Sequence, residues 1–262
     1  MVISEVRIRA VSIPRIYDTR VAEAGGHAQA KTQSLYYVLE LISDMGPVGL
    51  GEISDIESSW NTPAPDTLCE CLYSLKGMDP LNRQETWKAA TLSLPQNLHP
   101  ELRSLLSAAI DTALLDLVGQ HYNAPLHILL GGAHRTRVEV SWVAFIRTVE
   151  EIEEEISSKV AEGFTAFKLK VGDEPHMDIE RVRVGRRIAG PEAYIKVDAS
   201  GQWEEEEAVE HISALAAVGA NAVETPLRSA SRALAKDAPE TVNERAESVA
   251  EALARVRRRV PI

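Results

Sequence analysis

The chain has 262 residues, of which 45% are hydrophobic and 26% charged, a composition that excludes a disordered or fibrous protein and allows a sizeable core. Its 39 acidic and 28 basic residues give a net charge of −11, which disfavours a nucleic-acid partner. Two cysteines are too few for a disulfide framework or a cysteine-type zinc site. The sequence shows neither an apolar run of membrane length nor a secretory signal, so we expect a cytoplasmic protein with no membrane partner.

The first part of the chain predicts an antiparallel meander followed by helices. Alternation of apolar and charged residues predicts strands over residues 2–13 and 34–43, and turn residues at 44–47 lead into a third strand over 48–53. Arg15 to Thr32, which contains Gly25-Gly26-His27, has little apolar periodicity and is predicted to be a mobile loop. A broad apolar stripe predicts a long helix over Pro100 to His121.

After residue 132 strands and helices alternate, with a repeat of roughly 28 residues, which is typical of a parallel α/β sheet with right-handed crossovers. The capping box Thr148 to Glu151 opens the first of these helices. The strands are predicted over 138–145, 165–171, 193–198 and 221–224, and the helices over 149–160, 176–189, 204–218 and 243–258.

Two lysines share one face of the strand predicted over residues 165–171. Because side chains alternate along a strand, Lys168 and Lys170 point away from the apolar residues that must pack on the helices. Desolvation and a like-charged neighbour lower the pKa of a lysine, so we expect these two to approach the pKa of a useful base. The alternative is an edge strand whose lysines are simply solvated.

Each of the next two strands ends on a carboxylate, Asp198 in the first and Glu224 in the second. The carboxyl ends of parallel strands meet at one edge, where the active sites of α/β proteins are built. Two carboxylates without a nearby His or Cys suit Mg²⁺ better than zinc. Taken singly, Asp198 could instead be a helix cap or turn residue, and Glu224 a solvated strand end.

These motifs resemble those of the enolase superfamily, in its mandelate racemase/muconate lactonizing enzyme branch. The resemblance covers nearly the whole chain in consistent order. Further matching segments are residues 49–52 (GLGE), 107–117 (SAAIDTALLDL), 125–126 (PL) and 129–132 (LLGG). The motifs of the site are Lys168-Leu169-Lys170, Val197-Asp198-Ala199 and Val223-Glu224-Thr225-Pro226.

The resemblance implies an α+β capping domain over residues 1–125 and part of a TIM-type (β/α) barrel over residues 126–262. It implies that Mg²⁺, held by three carboxylates, stabilises an enediolate formed when a base removes the proton α to the carboxylate of a small acid. The reaction would be that of a racemase or epimerase, a dehydratase or a cycloisomerase. A homo-oligomer is also expected.

By position in the motifs, Lys170 would be the base on one face of the substrate. Lys168 would contact the substrate carboxylate or tune its neighbour, and Asp198 and Glu224 would be metal ligands. The loop around His27 would correspond to a specificity loop that closes over the substrate.

The sequence departs from the family pattern in two respects. Ser200 stands where family members often have Asn. A complete barrel needs eight units, whereas four strands and the start of a fifth follow residue 131, so the third metal ligand and the opposite-face base are expected beyond Ile262.

The small number of barrel strands in this sequence has two interpretations. In one, the sequence is part of a longer enzyme. In the other, it is a truncated, non-catalytic homologue that acts as a subunit or scaffold with an incomplete metal site. A half-barrel has two unpaired edges, so it should pair or be completed by another chain.

Overall fold

The computed structural model describes residues 1–20, 30–228 and 242–260. Gly25-Gly26-His27 of the predicted loop and residues 261–262 lie outside this part. The strands are β1 (Ile3–Thr19), β2 (Lys31–Ser43), β3 (Val48–Ile53), β4 (Trp142–Ala144), β5 (Ala166–Lys170), β6 (Tyr194–Asp198) and β7 (Ala222–Glu224).

The helices lie between and after these strands. Two short 3-10 helices, Ser58–Trp60 and Leu72–Leu75, accompany them. The α-helices are α1 (Pro65–Cys71), α2 (Arg83–Ser93), α3 (Pro100–His121), α4 (Leu126–Leu129), α5 (Val149–Ala161), α6 (Pro175–Ala189), α7 (Glu205–Ala217) and α8 (Val242–Arg259).

Three predicted strands differ from the observed ones by more than one residue. β2 begins at Lys31 rather than at residue 34, so the last two residues of the predicted loop belong to a strand. β1 continues to Thr19, so the loop predicted from Arg15 is wrong over its first five residues; Arg15 Nε donates to Ser34 Oγ at 2.9 Å across the sheet. β4 is shorter than predicted, because only residues from Trp142 onward pair with β5. Alternation alone does not make a strand where no neighbouring strand supplies hydrogen-bond partners.

The first unit contains a three-stranded sheet, in the order β1-β2-β3, that packs on α3. β2 and β3 are antiparallel, with a register that runs from Tyr37↔Ile53 to Ile42↔Val48. The helix lies very close to β3: a Cβ on Gly49 would overlap the carbonyl oxygen of Ala113, and one on Gly51 that of Ala109. Glycine is therefore required at both positions.

The second unit is built on a parallel sheet in the order β4-β5-β6-β7. Phe167, Leu169, Ile195 and Val197 point to one face and are buried against the helices, which pack there through residues such as Ile156. The predicted capping box is present: Glu151 N–H donates to Thr148 Oγ1, and Thr148 N–H donates to the Glu151 carboxylate. The apolar face of each strand thereby fixes which side chains point to the opposite face.

The chain divides into two compact units, Met1–Ile16 with Thr32–Thr136 and Tyr17–Lys31 with Arg137–Ile262. The domain boundary at residue 125 stays a prediction. Of the described helices, none is both long and apolar enough to cross a membrane. The cytoplasmic location and the homo-oligomer also stay predictions of the sequence.

Candidate active site

Three of the predicted site residues lie in register at the carboxyl ends of neighbouring strands. Lys170 on β5 pairs with Asp198 on β6, and Asp198 pairs with Glu224 on β7. Lys168 lies one layer below Lys170 on the same face of the sheet. The structure therefore brings all four predicted residues to one edge of the sheet.

The two lysines point away from the helices, as predicted. Phe167 and Leu169 are each 1% exposed on the helix side, whereas the Lys168 and Lys170 side chains retain 18% and 16% exposure on the other face. An edge strand with solvated lysines is thereby excluded, because β5 lies between β4 and β6 and both ammonium groups are paired.

The ammonium groups connect the two carboxylates. Lys168 Nζ lies 2.8 Å from Asp198 Oδ2 and 2.8 Å from Glu224 Oε1. Lys170 Nζ lies 2.6 Å from Asp198 Oδ2 and donates to Ser200 Oγ at 3.2 Å. The Asp198 side chain is only 5% exposed, and its Oδ1 accepts the Ser200 N–H at 2.9 Å.

A third lysine belongs to the same cluster and was not predicted from the sequence. Lys196 precedes Asp198 by two residues, so it shares its face, and its Nζ lies 2.6 Å from Glu224 Oε2. The signal that could have identified it is the same two-residue alternation that identified Lys168 and Lys170.

The pKa of Lys168 shifts in the direction opposite to the prediction. Burial acts to lower the pKa of Lys168, but hydrogen bonds to Asp198 and Glu224 outweigh it and hold the pKa above its usual value. The sequence argument considered the second lysine and omitted the carboxylates of the neighbouring strands.

Both carboxylates are held in their charged forms. Burial acts to raise the pKa of Asp198, but hydrogen bonds from Lys168, Lys170 and the Ser200 N–H outweigh it, so this pKa is lowered. Lys168 first, and then Lys196, hold the pKa of Glu224 below its usual value. Ionised carboxylates are the form that binds a hard cation.

The donor set of Asp198 and Glu224 fits a divalent cation such as Mg²⁺. Lys168 Nζ lies 2.8 Å from an oxygen of each, so a single cation between the strand ends can contact both carboxylates. Within residues 1–20, 30–228 and 242–260, no group of three or more His, Cys, Asp or Glu side chains is placed to hold a metal. If the site binds a metal, the described residues would supply two of its ligands.

A buried ion pair supports the loop that follows β5. Asp178 accepts the Gly172 N–H at 2.8 Å and pairs with Arg181 at 2.7 Å, and Arg181 Nε donates to the carbonyl of Arg147 at 2.6 Å. Burial raises the pKa of Asp178 to about 6, against the opposing effects of the Gly172 N–H and Arg181. The loops after β4 and β5 are therefore fixed by α6.

The comparisons of this chain with known proteins agree with one another. Residues 151–260, which contain the whole charged cluster, match the family described as Enolase C-terminal domain-like. The chain is 32% identical over 179 residues to an L-Ala-D/L-Glu epimerase from Clostridium acetobutylicum, covering 66% of this chain and 47% of that protein. It is 30% identical over 207 residues to muconate cycloisomerase 1 from Acinetobacter baylyi, covering 75% and 54%.

Solved structures share the fold. That of a dipeptide epimerase from Enterococcus faecalis V583, complexed with Mg and the dipeptide L-Leu-L-Tyr, has a TM-score of 0.75 and 26% identity, covering 87% of this chain and 62% of that chain. The predicted fold class, a capping domain followed by part of a barrel, is thereby confirmed. The chain spans about half the length of the curated relatives it matches, which also include a racemase and a dehydratase.

Proposed function

This chain belongs to the enolase superfamily, in its mandelate racemase/muconate lactonizing enzyme branch, and we propose that it removes the proton α to the carboxylate of a small acid with Mg²⁺. Its relatives are epimerases, racemases, cycloisomerases and a dehydratase, so an isomerase or lyase reaction is expected. The observation that carries the proposal is the register of Lys170, Asp198 and Glu224 across three strands.

Lys170 is the proposed base. The C–H bond of the substrate breaks, its proton passes to Lys170 Nζ, and the electron pair moves into the carboxylate to give an enediolate. Lys168, one layer deeper, keeps its ammonium charge because two carboxylates surround it. It is therefore suited to contact the substrate carboxylate.

Asp198 and Glu224 are the proposed metal ligands. Mg²⁺, when bound, would supply positive charge against the negative charge that develops on the substrate carboxylate. The carboxylate of Asp198 is oriented by the Ser200 N–H, and that of Glu224 by lysine ammonium groups.

Solvent exchange tests the proposal. The chain is incubated in D₂O with Mg²⁺ and the dipeptides L-Ala-L-Glu or L-Leu-L-Tyr, chosen from the names of its relatives, and loss of the α-proton signal is followed by NMR. We expect exchange that requires Mg²⁺ and disappears in Asp198→Asn. Absence of exchange with every acid tried, or exchange at an equal rate in the presence of EDTA, would contradict the proposal.

A second candidate function is that of a non-catalytic subunit or scaffold. It is favoured by the finding that the described residues supply only two carboxylate ligands, which bind Mg²⁺ weakly. The intact mass of the natural protein and a calorimetric Mg²⁺ titration discriminate the two. A longer natural chain that binds Mg²⁺ supports the enzyme, whereas a 262-residue protein that binds no Mg²⁺ supports the scaffold.

A further inference from the structure

Lys196 binds one carboxylate oxygen of Glu224, Oε2. It lies on β6 opposite Lys168 on β5 and Ala222 on β7, one layer below the register of Asp198 and Glu224. Its Nζ lies 2.6 Å from Glu224 Oε2, while Lys168 Nζ lies 2.8 Å from Glu224 Oε1. Each oxygen of this carboxylate is therefore bound by a different ammonium group.

The two carboxylates of the site are oriented in different ways. Asp198 is short and buried, and the N–H of Ser200 fixes its Oδ1. Glu224 has one more rotatable bond and a side chain that is 36% exposed, and its carboxylate hydrogen bonds within the described chain come from lysines alone. Without Lys196, only the contact with Lys168 would restrain the Glu224 carboxylate.

We propose that Lys196 is a positioning residue for the Glu224 carboxylate. This inference rests on the proposed function and extends it, because it assigns a role to a lysine that the proposed reaction does not use. By binding Oε2, Lys196 leaves Oε1 on the side of Asp198, where Lys168 Nζ contacts both carboxylates and where both could serve as ligands of a bound Mg²⁺. Hydrogen bonds that orient ligating carboxylates typically change metal affinity by about 10–100-fold.

The test is Mg²⁺ binding to the full 262-residue chain, measured by calorimetry with no substrate present. We expect Lys196→Met to weaken Mg²⁺ binding about 10-fold or more, and Lys196→Arg, which keeps the donor and the charge, to restore it to within about 3-fold. Lys159→Met is the matched control, since Lys159 also forms a 2.6 Å ion pair, with Glu162 just after α5 and away from the site. It should leave Mg²⁺ affinity unchanged.

Further variants separate this inference from the function on which it rests. If Asp198→Asn and Glu224→Gln leave Mg²⁺ affinity unchanged, the proposed metal site is wrong and the role of Lys196 is overturned with it. If these two variants lose Mg²⁺ binding but Lys196→Met binds it with unchanged or higher affinity, only the positioning role is overturned. Lys196→Gln serves if the Met variant does not fold, because it keeps a donor; we expect an affinity between those of Met and Arg.

Discussion

One polar cluster lies at the carboxyl ends of β6 and β7 and another at their amino ends, and the two differ in charge and in the groups they bind. At the carboxyl ends, three ammonium groups surround two carboxylates, which leaves a formal excess of one positive charge. At the amino ends, a single guanidinium, that of Arg186 on α6, donates to the carbonyls of Gly190, Pro191, Ala193 and Gly219 and to Asn221 Oδ1.

The difference between the two clusters indicates that they have different roles. Arg186 binds neutral acceptors that belong to the turns before β6 and β7, and Asn221 Oδ1 also accepts the N–H of Ile195. All of these bonds except that between Arg186 and Asn221 Oδ1 involve a backbone group. The lysines at the other end bind side chains that an incoming cation or anion can attract in turn, so this end is suited to chemistry and the amino end to stability.

Lys170→Ala should give the largest effect, on the rate of proton transfer. Loss of a general base lowers the rate of proton transfer by about 10²–10⁴-fold, so α-proton exchange in D₂O should fall by this factor. Lys159→Ala is the control, because Lys159 is similarly shielded, with 18% exposure against 16% for Lys170. Equal exchange rates in the Lys170 variant and the control would remove Lys170 from the mechanism.

Arg186→Ala should have the next largest effect, which is a loss of stability. Its bonds to backbone oxygens would be lost together, so we expect the free energy of unfolding in urea to fall by about 2–4 kcal/mol. Arg187→Ala is the neighbouring control: its 2.9 Å ion pair with Glu153 is exposed and should contribute less than about 1 kcal/mol. Similar losses in both variants would contradict a special role for the amino-end cluster.

The pH dependence of stability should arise partly at the carboxyl end, from Asp178. Its native pKa of about 6 lies above its ordinary value of 3.8, so the native state binds the proton more tightly. The resulting stability is fully present below about pH 4 and is lost as the pH rises through about 6. The stability advantage of the unaltered chain over Asp178→Asn should therefore shrink by about 2 kcal/mol between pH 4 and pH 7.

Urea denaturation of both proteins at pH 4, 5.5 and 7 measures this difference, because the titration of all other groups cancels. A difference that is constant with pH would show that Asp178 titrates alike in the folded and unfolded chains.

Ser200→Asn should give the smallest effect. Ser200 has a φ of 50°, in the left-handed region, which Asn adopts more readily than Ser. The departure from the family pattern thus has a small physical cost, and we expect Asn to stabilise the chain by about 0.5 kcal/mol in urea. A loss of stability would indicate that the contact of Ser200 Oγ with Lys170 matters more than the backbone conformation.

Much of the fold could be predicted because local patterns determine it. The helix over Pro100–His121 has the predicted bounds because it carries a clear apolar stripe, and the strand over Val48–Ile53 because the turn before it marks where it starts. The ends of β1 and β4 were wrong because they depend on remote partners: β1 continues to Thr19 within the sheet that it shares with β2, and β4 begins only where Phe167 pairs with it.

The four predicted site residues could be placed together because alternation fixes their face and parallel strands fix their edge. The same alternation places Lys196 on this face, but its role depends on its partner Glu224, which is 28 residues away on another strand. The pKa of Lys168 was predicted in the wrong direction for the same reason: its shift depends on carboxylates that only the register brings near.

Anomalous diffraction from crystals of the chain soaked in Mn²⁺, a substitute for Mg²⁺, tests most directly whether the carboxyl end is the reactive one. The account predicts one strong peak within coordination distance of both Asp198 and Glu224 oxygens, at the place between them now reached by Lys168 Nζ. A peak bound elsewhere, with both carboxylates still paired only to lysines, would contradict it.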